Sequence, residues 1–246
     1  MTTVIMQSLT TEPIGIVKSC FRDKFGTPRQ PGLVPSAEAV IEILPKFQPE
    51  FSLQGLEQFS HLWVIFHFHQ NTNKKFNAKV HPPRLGGETV GLFATRTPHR
   101  PNPIGLSLVE IVRVEKNSVV VRGHDLVDGT PVLDIKPYIK EIESQPQAKS
   151  GWCETVLPTE IQVQWTEKAL SGLQQTSRNQ DEIKKLVEET LRLDPRPVVY
   201  RGYEGEDAKY RDVHAVRLHD IDAHFVFRSP QLVEVVEVRS TVSPKI

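Results

Sequence analysis

Gly91-Leu92-Phe93-Ala94-Thr95-Arg96-Thr97-Pro98-His99-Arg100-Pro101-Asn102-Pro103-Ile104-Gly105-Leu106 is the stretch from which the rest of the chain can be read. Strand-like runs at residues 89–95 and 106–114 flank a segment with three prolines in six residues. Each proline fixes its own φ and has no amide proton to give to a β-ladder, so the segment reads as a rigid loop between strands. It carries Arg96, His99, Arg100 and Asn102, donors suited to an anionic or nucleotide-like ligand, on a backbone with little entropy left to lose on binding. Taken alone, such a loop also reads as a surface turn with solvated charges.

Working outward, residues 13–19 and 37–44 form strands, and between them residues 20–36 form a loop with three prolines and two glycines. Arg29 and Gln30 lie there between Pro28 and Pro31, which hold them extended and non-helical. Residues 61–69 alternate cleanly. Leu62, Val64, Phe66 and Phe68 share an apolar face; His61, Trp63, Ile65, His67 and His69 share the other. Alternate histidines can ligate a metal, but no cysteine or spaced carboxylate accompanies these, so no metal is expected. His69 and Gln70 instead offer hydrogen bonds at the strand's end. A basic loop spans 71–87. The turn Glu115-Lys116-Asn117-Ser118 leads into a strand at 119–124, and Asp128-Gly129-Thr130 leads into another at 132–139. No helix of crossover length separates these strands, so a closed or nearly closed barrel is expected rather than a doubly wound parallel sheet. No GxGxxG phosphate grip is present in the sequence.

Beyond a polar linker at 141–151 the pattern changes. Residues 159–165 read as a strand and 167–174 as a short helix. A longer helix starts with a Ser177/Gln180 capping box, carries Ile183, Leu186, Val187 and Leu191 on one stripe, and ends at Asp194-Pro195. Strands at 198–201, 213–218 and 224–238 follow, the last broken at Ser229-Pro230. The expected fold class is mainly β: an N-terminal β-barrel over residues 1–158 and a smaller C-terminal α+β domain over 159–246.

Of the 246 residues, 38% are hydrophobic, and 30 basic side chains balance 30 acidic ones, which argues against coating nucleic acid through bulk charge. Local clusters exist at Lys18, Arg22, Lys24 and Arg29, at Lys74, Lys75, Lys79 and Arg84, and at Arg96 and Arg100. They are solvated surface unless the fold gathers them into a phosphate-binding face. No apolar run reaches the ~18 to 20 residues of a membrane span, and residues 1–11 lack a secretory pattern, so the expected location is the cytoplasm. Cys20 and Cys153 read as two reduced thiols.

The central stretch, together with Gly26-Thr27-Pro28-Arg29-Gln30-Pro31-Gly32, His67-Phe68-His69-Gln70, Leu133-Asp134-Ile135-Lys136-Pro137-Tyr138 and Asp194-Pro195-Arg196-Pro197, resembles the TrmO-like (YaeB-like) family. That family comprises S-adenosylmethionine-dependent methyltransferases acting on N-threonylcarbamoyladenosine in tRNA, next to the anticodon. The resemblance implies a β-barrel methyltransferase outside the Rossmann class and S-adenosyl-L-methionine as cofactor. As partners it implies tRNA carrying N-threonylcarbamoyladenosine and a second copy of the chain, with the sites near the homodimer interface. Position by position, it assigns cofactor binding to Pro28, Arg29, Gln30, His69, Gln70, Arg96, Leu106, Asp134, Ile135, Lys136 and Pro137.

The substrate nitrogen, attached to a purine and a carbonyl, needs a base, and Asp134 is the candidate. Either Asp134 takes the proton while Lys136 stabilises charge on the carbamoyl oxygen, or Asp134 orients the cofactor and Lys136 grips the threonyl carboxylate. The two also stand two residues apart on one strand face, where a plain ion pair is the simplest arrangement. The second domain is expected to guide tRNA through Arg196, Arg201 and Arg211, so a chain cut after Leu157 should keep cofactor binding. The rival reading is a noncatalytic module that binds RNA or an adenine ligand.

Overall fold

The structure, a computed structural model, describes residues 8–72, 75–82, 85, 88–155, 160–196 and 213–241. In chain order its strands and helices are β1 (Gly15–Ser19), β2 (Glu38–Ile43), α1 (Pro49–Ser52), β3 (His61–His67), β4 (Lys79–Val80), β5 (Val90–Gly91), β6 (Ile104–Val114), β7 (Ser118–Arg122), β8 (Pro131–Pro137) and α2 (Lys140–Glu143). They continue with β9 (Gln162–Trp165), α3 (Glu167–Leu173), α4 (Gln180–Leu191), β10 (His214–Leu218), β11 (Ile221–Ser229) and β12 (Leu232–Ser240).

Strict alternation makes the barrel. In β3, Leu62, Val64 and Phe66 are buried while the residues between them are not, and β1 and β2 repeat that period. Closing the sheet in the order β1-β2-β7-β6-β3-β8, with β8 returning to β1, leaves no edge among these strands. Val17, Ile41, Leu62, Val64, Val109, Val121 and Val132 fill the interior. Gly105, opposite Phe66 on the neighbouring strand, is required by packing: a Cβ there would lie 2.2 Å from the Phe66 ring. The glycine before Leu106 is therefore part of the core rather than a flexible point.

A second core lies under the four-stranded sheet β10-β11-β12-β9, in which β9 runs parallel to β12. The α4 stripe Ile183, Leu186, Val187 and Leu191 packs here with Val216, Leu218, Ile221, Phe225, Val233 and Val235. Cys20, Phe21, Val34 and Ala37, from the loop between β1 and β2, belong to this core as well.

Several expectations need correction. The run at 89–95 pairs as a strand only at Val90–Gly91. Leu92–Ala94 is a 3-10 turn, because the Leu92 amide bonds Ala78 and the Thr95 amide and hydroxyl both return to the Leu92 carbonyl. β3 ends at His67: the His69 amide bonds back to the His67 carbonyl at 2.8 Å, so His69 and Gln70 occupy a turn instead of the strand face. The cap of α4 is Asn179, which accepts from the Asp181 and Glu182 amides, while the Ser177 hydroxyl contacts Asp220. Residues 45–58 hold two 3-10 turns and α1, elements with no clear period in the sequence. The strand expected at 198–201, with Arg201, Arg211, Lys74 and Arg84, lies outside the described residues.

Candidate cofactor and substrate site

The expected site residues form two groups. One is a strip on the outer face of the barrel. β3 pairs Ile65 with Leu106 on one side and Asp134 on the other, and pairs Trp63 with Leu108 and Lys136. Leu106 is 55% exposed. Lys136 Nζ lies 3.0 Å from Asp134 Oδ2, with side chains 63% and 45% exposed. The other carboxylate oxygen, Asp134 Oδ1, accepts from the Ile135 amide at 2.9 Å. Ile135 turns inward onto the barrel core, as strand alternation requires. Pro137 stands opposite Leu62 at the strip's end, beside Trp63, whose Nε1 donates to Glu143 at 2.7 Å.

The second group is a set of loops tied together by side chains. Arg96 donates to Gln30 Oε1 at 2.7 Å, Lys24 Nζ donates to the Gln70 carbonyl at 2.7 Å, and the His99 ring meets Asn71 at 3.0 Å. Gln30 in turn donates to the Arg29 carbonyl, holding the Pro28-Arg29-Gln30 turn closed. The loops at 20–36, 68–71 and 91–103 thus converge, and the Phe68 amide bonds the Pro103 carbonyl just before β6 begins. His69 is held below the ordinary histidine range, first by burial, then by repulsion from His67 and Lys24.

Sequence reasoning does not reach Ser107 and Asp125. Ser107 is buried between Gly105 and Val109 on the inward face of β6 and donates to Asp125 Oδ1 at 2.5 Å. Burial pushes the Asp125 carboxyl up to about 6, opposed by the Ser107 bond, its own amide and the charge of Arg96. A serine at an inward position of an apolar strand is the signal that marks such a partner.

The 20–36 loop is anchored from the second core. Phe21 forms a bridge with Leu218, the His219 amide donates to the Cys20 carbonyl at 2.7 Å, and the Ser36 amide and hydroxyl both donate to Glu189. Gly26 has φ of 93° and would put a Cβ 2.1 Å from Val216. At the seam, Cys20 Sγ lies 3.8 Å from His124 Nε2, and His124 Nδ1 accepts the Leu126 amide, so Nε2 carries the proton. Burial drives the Cys20 thiol up to about 12 and His124 down to about 4, leaving both uncharged. Arg196, expected to contact tRNA, grips Asp194 with its guanidinium and stacks 3.4 Å from the Phe227 ring centroid.

The tRNA-methyltransferase O N-terminal domain model matches residues 16–144, and the TrmO C-terminal domain model matches residues 158–241. The chain belongs to the tRNA-methyltransferase O family. It is 40% identical over 225 residues to the tRNA (adenine(37)-N6)-methyltransferase of Escherichia coli, covering 89% of this chain and 94% of that one. A Pseudomonas aeruginosa protein named for S-adenosylmethionine-dependent methyl transfer is 41% identical over 231 residues, 93% of this chain and 97% of the relative. The crystal structure of TrmO from Pseudomonas aeruginosa superimposes with a TM-score of 0.77 at 35% identity, over 95% of this chain and 99% of that one. The mainly β barrel architecture is that of the family.

Proposed function

We propose that this chain methylates the exocyclic N6 of adenosine 37 in tRNA with S-adenosylmethionine as donor, as its Escherichia coli relative's name states of that enzyme, and that the base it acts on is N-threonylcarbamoyladenosine. The carrying observation is that Arg96–Gln30, Lys24–Gln70 and His99–Asn71 tie together three loops, two of which lead out of β3 and into β6, the strands next to the solvent-facing strip Leu106, Asp134 and Lys136. The donor set suits the cofactor. Arg96 and Arg29 match its carboxylate, Leu106 offers apolar surface, and Asp134 offers an acceptor to ribose hydroxyls. His69, kept neutral, adds no positive charge against the sulfonium. When bound, S-adenosylmethionine supplies an electron-poor methyl carbon.

The substrate nitrogen must lose its proton, because its lone pair is delocalised into both the purine and the carbonyl. Both oxygens of Asp134 are engaged, by Lys136 and by the Ile135 amide. Asp134→Asn separates the two roles open to this residue. As base, it predicts near-normal cofactor affinity with turnover lowered roughly a hundredfold; as cofactor clamp, it predicts that affinity itself falls.

The working division is a catalytic unit over 1–158 and an accessory unit over 159–246 that contributes to tRNA guidance. The protein acts in the cytoplasm; among the described residues no helix is long and apolar enough to cross a membrane. Two copies associate with their sites near the interface, a reading supported by the exposed Ile104, Leu106 and Ile142 along the strip and the helix beyond it. Light scattering at micromolar concentration that gave only monomer would remove the dimer. The function itself is tested by mass spectrometry of tRNA nucleosides from a deletion strain. Loss of methylated threonylcarbamoyladenosine with accumulation of its precursor is expected, and an unchanged nucleoside profile contradicts the proposal.

A further inference from the structure

Phe93 is 75% exposed, although the turn that carries it is held by several hydrogen bonds. Its neighbour Leu92 is buried, and the Leu92 amide bonds the Ala78 carbonyl at 2.9 Å. On the other side, Trp152 Nε1 donates to the Ala94 carbonyl at 2.9 Å and Arg100 donates to the Thr95 carbonyl at 2.9 Å. Ordering this backbone does nothing to cover the ring between its anchors. The ring therefore stands out from an anchored backbone, which lowers the backbone entropy lost on binding.

Its surroundings are those of a site for a planar, anionic-backboned ligand. The Arg100 guanidinium lies 5.6 Å from the Phe93 ring centroid. β4 pairs Lys79 with Gly91, two residues before Phe93, and Phe76 stands exposed on the same basic segment. Arg96, with its Gln30 partner, is three residues further along the same loop. Aromatic faces interleaved with cations are how proteins hold unstacked nucleotides, since every base offers a π-face and every linkage a phosphate. A methyltransferase whose target atom is on a base edge needs that base out of its stack.

We propose that Phe93 is a stacking platform for an unpaired nucleobase of the tRNA anticodon loop, with Arg100 and Lys79 toward its phosphates. This rests on the tRNA reading above. The test measures KM for tRNA, calorimetric affinity for S-adenosylmethionine and oligomeric mass in the full-length chain. Phe93→Ala is expected to raise KM for tRNA roughly five- to a hundredfold, with cofactor affinity and mass unchanged. Phe93→Tyr should restore KM, and Phe93→Leu, apolar but without a π-face, should not. Unchanged KM in Phe93→Ala, full rescue by Phe93→Leu, or a fall in mass or cofactor affinity would each overturn the platform. A wild-type chain that binds cofactor but no tRNA would instead overturn the functional reading, and the inference with it.

Discussion

The two hydrophobic cores are built by different rules. The fully buried side chains of the barrel core come from residues 17–132, most of them from the inward faces of its strands, with Leu53 and Leu126 added from the connections. The second core draws its helices and sheet from residues 161–238 but is completed by Cys20, Phe21, Val34 and Ala37, which lie more than a hundred residues earlier in the chain. The loop that carries Pro28, Arg29 and Gln30 is thus rooted at both ends in the second core, while its tip bonds to Arg96 over the barrel. The accessory unit consequently acts on the shape of the cofactor loop in addition to any contact with tRNA. A chain cut after Leu157 loses the partners of Phe21, Val34 and Ala37, so the structure replaces retained cofactor binding with weakened binding as the expected result of that truncation.

The largest effect that separates the cores is Phe21→Ala. The ring is buried, edge-on to His124 at 5.1 Å, and its removal should cost about 3–5 kcal/mol by denaturant titration. Leu62→Ala in the barrel should cost about 2–5 kcal/mol. At matched residual stability Phe21→Ala should lose more S-adenosylmethionine affinity; equal losses would mean that the loop does not depend on the second core.

The seam also predicts a pH response. His124 titrates at about 4 in the fold against 6.5 when unfolded, so the unfolded chain binds more protons between those values. Stability from this group is intact above pH 6.5 and falls with pH through that window, by about 3 kcal/mol in all. His124→Gln should flatten that part of the stability profile. Asp125, raised to about 6, stabilises the fold as pH falls through the same window, so the readout is the difference between wild type and His124→Gln, and identical profiles from pH 7 to 4 contradict the buried neutral imidazole.

Of the barrel, nearly everything is legible in the sequence, because period two along residues 61–67 or 38–43 has one structural reading. The helices of the second core are legible for the same reason, from the stripe Ile183, Leu186, Val187 and Leu191. The long-range share of that core is not: nothing local to Cys20, Phe21 or Val34 says that Leu218 and Val216 will cover them. The turn at Leu92–Ala94 is hidden too, since its three apolar residues fit a strand until the Ala78 and Thr95 hydrogen bonds are known. Of the site, the loops at 20–36, 68–71 and 91–103 meet through Gln30, Gln70, Arg96 and His99, which the motif stretches carry, whereas Asp125 depends on a partner, Ser107, that spacing does not reveal.

A smaller effect sharpens the comparison. Glu189→Ala removes the acceptor of both Ser36 donors, and about 1–2 kcal/mol of stability should go with it. If the loop is set from the second core, cofactor affinity should fall in Glu189→Ala although Glu189 lies on a helix remote from the barrel strip. Unchanged affinity would confine that contact to stability.

The most direct test of the account is calorimetric titration of S-adenosylmethionine into the wild-type chain and Arg96→Ala. The account predicts saturable binding to the wild type and at least about tenfold weaker binding to the variant, the loss of one charge-assisted contact. No binding to the wild-type chain, or equal affinity in the two, would contradict it.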